Sequence, residues 1–253
     1  MQFKNYIFDL YGTLIDIKTD ETKPVIWSTL AELYREYGAF YSPNELRDTY
    51  YHFVEEELNE VRKRLNITYA DIKIENVFLK LLEVAIGKDA FENLFNNKEK
   101  YESWGFNVSK TFRDLSMVRF TVYPKVHETL RILKDSGAKI YLLSNAQSVF
   151  TLPEIEKAGL KEYFDAIYIS SDFCTAKPEP SFMQALLNEQ QLDPKECVMV
   201  GNDCSSDMAV AISCGVKGIF LNTNGHSEEE INGMIQQNQF SVIRSGHIEE
   251  ILE

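Results

Sequence analysis

Short apolar runs alternate with helix-like stretches from about residue 119 to the end of the chain. Four of these runs are rich in β-branched and aromatic residues, and a fifth, YIFD, lies near the start of the chain. The four runs are KIYLLS (139–144), DAIYIS (165–170), CVMVG (197–201) and VKGIFL (216–221). Apolar strands separated by helical spans indicate a parallel sheet that helices cover on both faces. The pattern therefore predicts an α/β core.

The part of the chain between the first run and the others has amphipathic helical spacing and no convincing strand. The expected helices span 22–37, 42–65, 72–86 and 88–103. The second helix has the clearest start, because Ser42-Pro43-Asn44-Glu45 combines a Ser-x-x-Glu capping pattern with proline at the first helical position.

A helical segment inserted just after the first strand predicts two domains. We expect an α/β core over residues 1–16 and 119–253 and an all-helical domain over residues 17–118. Open α/β sheets bind ligands at the carboxyl ends of their strands, so a helical domain at this point of the chain is suited to cover such a site.

Composition and charge narrow the possible partners. The chain has 253 residues and a net charge of −13, which argues against a nucleic-acid partner because phosphate backbones are bound by surplus Lys and Arg. A small phosphorylated substrate is still compatible, since a bound cation reverses the local field. No apolar run approaches the roughly 20 residues that span a bilayer. The start, MQFKNYIFDL, lacks a signal-peptide layout, so we expect a cytoplasmic protein with four free cysteines and no membrane partner.

Polar residues follow the predicted strands. Asp9 ends the first run, Ser144-Asn145 the next, Lys177 lies shortly after DAIYIS, and Asn202-Asp203 with Asp207 follow CVMVG. Because parallel strands end at one edge of a sheet, we expect these groups to converge.

Such a cluster needs positive charge. Asp9, Asp203 and Asp207 in one site raise one another's pKa unless cations offset them. Lys177 and a divalent ion, Mg²⁺, meet this need, since Mg²⁺ favours carboxylates, carbonyls, waters and substrate phosphate. Ser144 and Asn145 can stabilise an anionic transition state, as can the backbone N–H groups of residues 11–13.

Four segments in this order resemble the motifs of the haloacid dehalogenase (HAD) superfamily of hydrolases. They are FDLYGTL (8–14), LLSN (142–145), the lysine of AKPEP (176–180) and GNDCSSD (201–207). The resemblance covers the whole predicted core and implies a Rossmann-like parallel sheet. The helical insertion lies where that superfamily places its cap and looks like a C1-type helical cap.

The resemblance implies a role for each matching position. Asp9 is the expected nucleophile, which forms a covalent aspartyl intermediate, and Lys177 pins the nucleophile and the charge of the substrate. Four residues are expected to hold the transferring or leaving group: Gly12, Thr13, Ser144 and Asn145.

The implied metal ligands are Asp9, the backbone carbonyl of Tyr11 and one residue of the fourth motif. The first acidic position of GNDCSSD aligns with either Asn202 or Asp203. We prefer Asp203, because it is a carboxylate and lies at a family spacing from Asp207. Asn202 and Asp207 are then supporting residues, with Asp207 beside Lys177 or a metal-bound water.

Tyr11 departs from the phosphatases of this superfamily, which normally have aspartate at this catalytic position as proton donor and base. A phenol with a reference pKa near 10 does not perform that role easily at neutral pH. L-2-haloacid dehalogenases have tyrosine here, and halide leaves without a proton. Three residues of the predicted cap, Tyr50, Tyr51 and His52, are candidates for a borrowed acid, although packing and surface roles are the simpler reading.

Three functions follow from these residues. The first is a Mg²⁺-dependent phosphatase that acts on a small phosphorylated metabolite through an aspartyl phosphate on Asp9. The second is a dehalogenase-type carbon–halogen hydrolase, which Tyr11 favours and the second acid of the fourth motif disfavours. The third is a catalytically decayed binding protein on the same fold. All three take a small anionic ligand.

Overall fold

Six parallel strands form the central sheet of the computed structural model, which describes residues 3–237 and 240–253. In chain order the strands of the structure are β1 (Asn5–Phe8), β2 (Ile15–Thr19), β3 (Met117–Val122), β4 (Lys139–Ser144), β5 (Ala166–Ile169), β6 (Cys197–Gly201), β7 (Lys217–Leu221) and β8 (Ser241–Ile243). The order across the sheet is β5-β4-β1-β6-β7-β8, with every neighbouring pair parallel. All five predicted strands are confirmed.

Strands β1 and β6, at the centre of the sheet, are buried at every position because both of their faces are covered. In β1, Tyr6 and Phe8 pack into one buried cluster and Ile7 into the cluster on the opposite face. In β6, Val198 and Val200 share the first cluster, whereas Met199 belongs to the second. This alternation across a fully buried strand is typical of doubly covered parallel sheets, and the predicted α/β Rossmann-like fold is confirmed.

The helices around the sheet follow the strands in alternation. They are α6 (Val126–Asp135), α7 (Ser148–Lys157), α8 (Ser170–Phe173), α9 (Pro180–Glu189), α10 (Ala209–Ser213) and α11 (Glu228–Gln237). Short 3₁₀ turns span Lys161–Tyr163, Pro194–Glu196 and Ile248–Leu252, and a single π turn spans Cys204–Met208. Apolar residues of α6 and α7 belong to the cluster with Tyr6, and those of α9 and α10 to the cluster with Ile7.

Five helices between β2 and β3 form a helical insertion with a hydrophobic core of its own. They are α1 (Pro24–Glu36), α2 (Pro43–Leu65), α3 (Ile74–Ile86), α4 (Lys88–Leu94) and α5 (Lys98–Ser116). Trp27, Tyr34, Phe78 and Phe112 are among its buried residues. No helix among the described residues is long and apolar enough to cross a membrane.

Local signals account for where these helices begin. Ser42 accepts a hydrogen bond from the backbone N–H of Glu45, and the Glu45 side chain bonds back to Ser42, so the predicted capping box is confirmed. The prediction of a single helix over 88–103 is wrong, because α4 ends at Leu94 and a separate helix, α5, begins after Asn97. The Asn97 side chain accepts from the Lys100 N–H at 2.9 Å and starts α5, which continues to Ser116.

An antiparallel ribbon joins the insertion to the sheet, and the hydrophobic pattern did not predict it. The ribbon pairs β2 with β3, with Ile15 opposite Val122 and Ile17 opposite Phe120. Its strands are largely half-exposed, so they lack the continuous apolar runs that marked the strands of the sheet. The boundaries predicted at 16/17 and 118/119 fall within this ribbon.

Candidate active site

Three neighbouring strands end at one edge of the sheet and bring polar side chains to the same point. Asp9 directly follows β1, and its N–H donates to the Val200 carbonyl of β6 at 3.0 Å. Ser144 is the last residue of β4, and Asn202 follows β6. Because β4, β1 and β6 are neighbours, these residues lie side by side.

Lys177 holds two carboxylates together in the interior of the site. Its Nζ lies 2.7 Å from Asp9 Oδ1 and 2.7 Å from Asp207 Oδ1. The lysine side chain is 1% exposed, and those of Asp9 and Asp207 are 10% and 1% exposed. Burial alone lowers the pKa of Lys177, but the two carboxylates outweigh it and raise that pKa. The lysine is therefore a cation at neutral pH.

Burial acts in the opposite direction on Asp207. It raises the pKa of that carboxyl above its ordinary value, against the favourable charge of Lys177, and the nearby charge of Asp9 raises it further. The pair of carboxylates therefore depends on the ammonium between them, as the sequence analysis expected for acids in one site.

Asn145 fixes the backbone of Lys177. Its Nδ2 donates to the Lys177 carbonyl at 2.8 Å, and its Oδ1 accepts from the Lys177 N–H at 2.7 Å. The predicted substrate-binding role of Asn145 stays a prediction, whereas the contact that its amide makes in the structure positions the lysine.

Both oxygens of Asp9 accept hydrogen bonds. Oδ1 accepts from Ser144 Oγ at 3.3 Å as well as from Lys177, and Oδ2 accepts from Thr13 Oγ1 at 3.2 Å. Thr13 Oγ1 also lies 3.2 Å from Asn202 Oδ1. A buried carboxylate held in this way is oriented to attack an electrophilic phosphorus or carbon atom.

Two glycines allow the loops to approach this closely. Gly12 has φ +85°, and a Cβ on it would lie 2.3 Å from Asn202 Nδ2. A Cβ on Gly201 would lie 2.2 Å from Asp207 Oδ2. Side chains at either position would push Asn202 or Asp207 away from the site, which is the physical reason for glycine at both.

The structure separates the roles of Asn202 and Asp203. The exposed Asp203 accepts at Oδ1 from the Ser205 N–H at 2.7 Å and from Ser205 Oγ at 2.6 Å. Partial burial alone would raise its pKa, but these bonds and those from Ser206 lower it. In the described part of the chain Asp203 has no side-chain bond to Asp9 or Lys177. The geometry thus favours Asn202 over Asp203 as the residue of this loop that faces Asp9.

The hydroxyl of Tyr11 is hydrogen-bonded to a carboxylate on a helix of the core. It makes a short hydrogen bond to Glu154 Oε2 and lies 3.2 Å from Thr151 Oγ1, and both partners belong to α7. Burial and the negative charge of Glu154 raise the pKa of Tyr11 well above its usual range. The phenol therefore keeps its proton and directs it towards Glu154.

Arg113 completes this network from the helical insertion. Its Nε and Nη2 donate to the two oxygens of Glu154 at 2.7 and 3.1 Å. The guanidinium lies 5.6 Å from the centre of the Tyr11 ring and 5.2 Å from that of Phe150. The ring two places after Asp9 thus joins a helix of the insertion to a helix of the core.

Sequence reasoning did not identify Arg113 or Glu154. Arg113 and Glu154 are 41 positions apart, and neither lies in one of the four motifs. One signal was present, because Glu154 is a charged residue on the buried face of α7, beside Thr151 and Ile155.

A cleft of about 780 Å³ opens onto Asp9 and Lys177. Tyr69, from the loop between α2 and α3, contributes to its wall from the helical insertion. Of the candidates for a borrowed acid, Tyr50 is buried in the core of the insertion, and none of Tyr50, Tyr51 and His52 is among the described residues that line the cleft.

The oxygen atoms around Asp9 fit a magnesium ion that keeps waters and substrate oxygens as ligands. The set offers one carboxylate oxygen of Asp9 and the amide oxygen of Asn202, joined through Thr13. The described residues hold no group of three or more His, Cys, Asp and Glu side chains arranged to hold a metal. Mg²⁺ commonly binds through one or two carboxylates plus phosphate oxygens, so this sparse set is compatible with it.

Comparison with known proteins identifies a family to which this chain is similar over most of its length. The model of the haloacid dehalogenase-like hydrolases matches residues 3–215. A phosphoglycolate phosphatase of Vibrio vulnificus (strain YJ016) is 31% identical over 152 residues, which cover 58% of this chain and 66% of that relative. The match thus spans just under two thirds of the relative's length.

Two further proteins are similar to this chain. The pyrimidine 5′-nucleotidase YjjG of Escherichia coli (strain K12) is 27% identical, over 67% of this chain and 78% of that relative. A crystal structure of 2-haloacid dehalogenase from Pseudomonas syringae pv. Tomato DC3000 superposes with a TM-score of 0.56 at 18% identity, over 93% of this chain and 99% of that one. The last likeness shows the fold.

We predict that Tyr11→Phe destabilises the protein and loosens the insertion. The change removes a hydrogen bond to a charged partner, which costs about 1.5–3 kcal/mol of unfolding free energy. Amide hydrogen exchange in α5 around Arg113 should become faster. Tyr168→Phe is the matched control, because Tyr168 donates to Glu189 at 2.8 Å within the core. It should lose stability without faster exchange in α5, and equal exchange in both variants would contradict the proposed link.

Proposed function

The chain belongs to the family of haloacid dehalogenase-like hydrolases, and from that premise we propose that it is a Mg²⁺-dependent phosphatase. It hydrolyses a small phosphorylated metabolite through an aspartyl phosphate on Asp9. The observation that carries the proposal is the position of Asp9, which Lys177, Ser144 and Thr13 hold at the edge of an open cleft. Phosphatases among the relatives support it.

The proposed reaction has two displacements at phosphorus. A carboxylate oxygen of Asp9 forms a bond to phosphorus while the bond to the leaving oxygen breaks and its electron pair departs with that oxygen. The leaving oxygen takes a proton from solvent. Water then attacks phosphorus and gives a proton to solvent while the bond to Asp9 breaks, which releases the carboxylate and inorganic phosphate. Lys177 orients Asp9. The backbone N–H groups of Gly12 and Thr13 donate to the Ile15 and Leu10 carbonyls. The hydroxyls of Ser144 and Thr13, beside the two oxygens of Asp9, are therefore the proposed donors to the phosphoryl oxygens.

Asp9, the backbone carbonyl of Tyr11 and one residue of the loop after β6 are the proposed magnesium ligands. When bound, Mg²⁺ neutralises charge on the phosphoryl group and offsets its repulsion from the carboxylates. For the third ligand we favour Asn202, whose Oδ1 shares Thr13 with Asp9, over Asp203, whose carboxylate bonds to Ser205. A neutral amide ligand makes the cation site weak without substrate.

The commitment of Tyr11 to Glu154 restricts the proposed substrates. A positioned general acid is worth about 10²–10⁴-fold, and the phenol does not provide one while its proton points to Glu154. We therefore expect rates that depend steeply on the leaving group, with acyl and aryl phosphates hydrolysed faster than alkyl phosphates. We propose that the substrate is a small anion and that the protein acts in the cytoplasm.

Carbon–halogen hydrolysis is the second candidate, and Asn202 favours it. With an amide in place of a carboxylate beside Asp9, the described residues bring two acids, Asp9 and Asp207, into contact with Lys177. In this alternative Asp9 displaces halide from carbon, and halide leaves without needing a proton.

Turnover assays distinguish these candidates. We expect Mg²⁺-dependent release of phosphate from an aryl phosphate and from acetyl phosphate, and its loss below about one thousandth in Asp9→Asn. Metal-independent halide release from a 2-haloacid would show that the protein is a dehalogenase instead. Tight binding of a phosphorylated metabolite with neither activity would identify a binding protein.

Magnesium binding tests the choice between Asn202 and Asp203. We predict that Asn202→Asp tightens Mg²⁺ binding by about tenfold or more, because it adds a carboxylate beside Asp9. Asn202→Ala should weaken binding, and Asp203→Ala should change it by less than about threefold. Calorimetry with each variant measures the affinity. Loss of binding in Asp203→Ala with no effect of Asn202→Ala would restore Asp203 as the ligand.

A further inference from the structure

Tyr69 lies at the cleft, and residues of the core form hydrogen bonds with both its backbone carbonyl and its backbone N–H. Its carbonyl accepts from the Ala176 N–H at 2.8 Å, and its own N–H donates to Glu179 Oε2 at 3.3 Å. The residue is nevertheless 48% exposed, and it is one of the described residues that line the cleft containing Asp9. Because these bonds fix its backbone, Tyr69 keeps a defined position relative to a substrate in the cleft.

Buried polar contacts fix the rest of this loop. Asp71 accepts hydrogen bonds from Ser170 Oγ and, at 2.9 Å, from Gln147 Nε2. Gln147 Oε1 in turn accepts from the Ile74 N–H at 2.9 Å. The loop thus bonds to the segments after β4 and β5, the same segments that supply Ser144 and Lys177, so the ring and the reaction centre share one support.

The charges in the cleft limit what the organic part of the substrate can carry. The described lining residues include three carboxylates, Asp9, Asp203 and Asp207, and Lys177 is the one Lys or Arg among them. Lys177 already contacts two of those carboxylates. A second anionic group, beyond the phosphate itself, would therefore meet repulsion with no cationic partner in this part of the chain.

The size and lining of the cleft favour a larger, planar group. A volume of about 780 Å³ exceeds what a phosphate with a two-carbon chain fills, and lies in the range of sites that hold ring-containing ligands. Pro178 and His226 add flat or apolar surface to that of Tyr69. Aromatic faces prefer to stack against planar rings.

From these observations we propose that Tyr69 is a substrate-contacting residue and that the substrate is a phosphate monoester whose organic part is uncharged and carries a planar ring. This inference rests on the proposed phosphatase function. It selects ring-bearing esters over phosphorylated acids and bisphosphates, and aryl phosphates above all, because their leaving group also suits a site in which Tyr11 provides no general acid.

Three esters of primary alcohols separate the effects of ring and charge: benzyl phosphate, ethyl phosphate and phosphoglycolate. We expect kcat/KM to fall in that order. Tyr69→Ala should lower kcat/KM for benzyl phosphate about tenfold, mainly through KM, and change that for ethyl phosphate by less than about twofold. Tyr69→Phe keeps the ring and should keep the preference.

Tyr51→Ala is the control variant, because Tyr51 is a 44% exposed tyrosine of the insertion whose ring contacts Trp27 and Tyr50. It should leave the order and the ratios unchanged. Equal loss for benzyl and ethyl phosphate in Tyr69→Ala, or a preference of the wild type for phosphoglycolate, would overturn the inference while the phosphatase stands. Failure of every phosphate ester, including aryl phosphates and acetyl phosphate, would instead overturn the proposed function.

Discussion

One buried ammonium group holds the reaction centre together. Lys177 lies between Asp9 and Asp207, and each of these carboxylates is costly to bury without it. The three residues come from loops after three different strands, so their contacts also fix how the loops meet. The close approach of those loops leaves no room for a Cβ at Gly12 or Gly201. The arrangement of the site thus follows from pairing two acids with a single cation.

The helical insertion is joined to this centre on two sides. On one side Arg113 binds Glu154, which also accepts from Tyr11, so the loop that carries Asp9 contacts a helix of the insertion indirectly. On the other side the loop of Tyr69 bonds to the segment that carries Lys177. The tyrosine that replaces an expected aspartate therefore has a structural partner, and the cost is the loss of a ready proton donor. In this account substrates with good leaving groups compensate for that loss.

The sheet, and the convergence of most of the candidate site residues, could be predicted from the sequence because both depend on local signals. The runs at 139–144 and 197–201 are mostly apolar, and the observed strands have those same bounds. The ribbon of β2 and β3 was missed because its half-exposed strands pair across about 100 positions of the chain. Charge ranked Asp203 above Asn202 in the sequence, whereas the contacts of Asn202 with Thr13 and of Asp203 with Ser205 lead us to propose Asn202. Tyr69 was also missed, because it lies in none of the four motifs and its position depends on hydrogen bonds to residues far away in the sequence.

The free energy of unfolding of two variants tests the central role of Lys177 most directly. Lys177→Met keeps the volume and removes the charge, so it leaves Asp9 and Asp207 buried without a partner and should cost about 3–5 kcal/mol. Asp9→Asn removes one of the two repelling acids and keeps the pair of Lys177 with Asp207, so it should cost less than about 1 kcal/mol or stabilise the protein. Urea unfolding followed by circular dichroism measures both. Full stability of Lys177→Met, or an equal loss in both variants, would contradict the account.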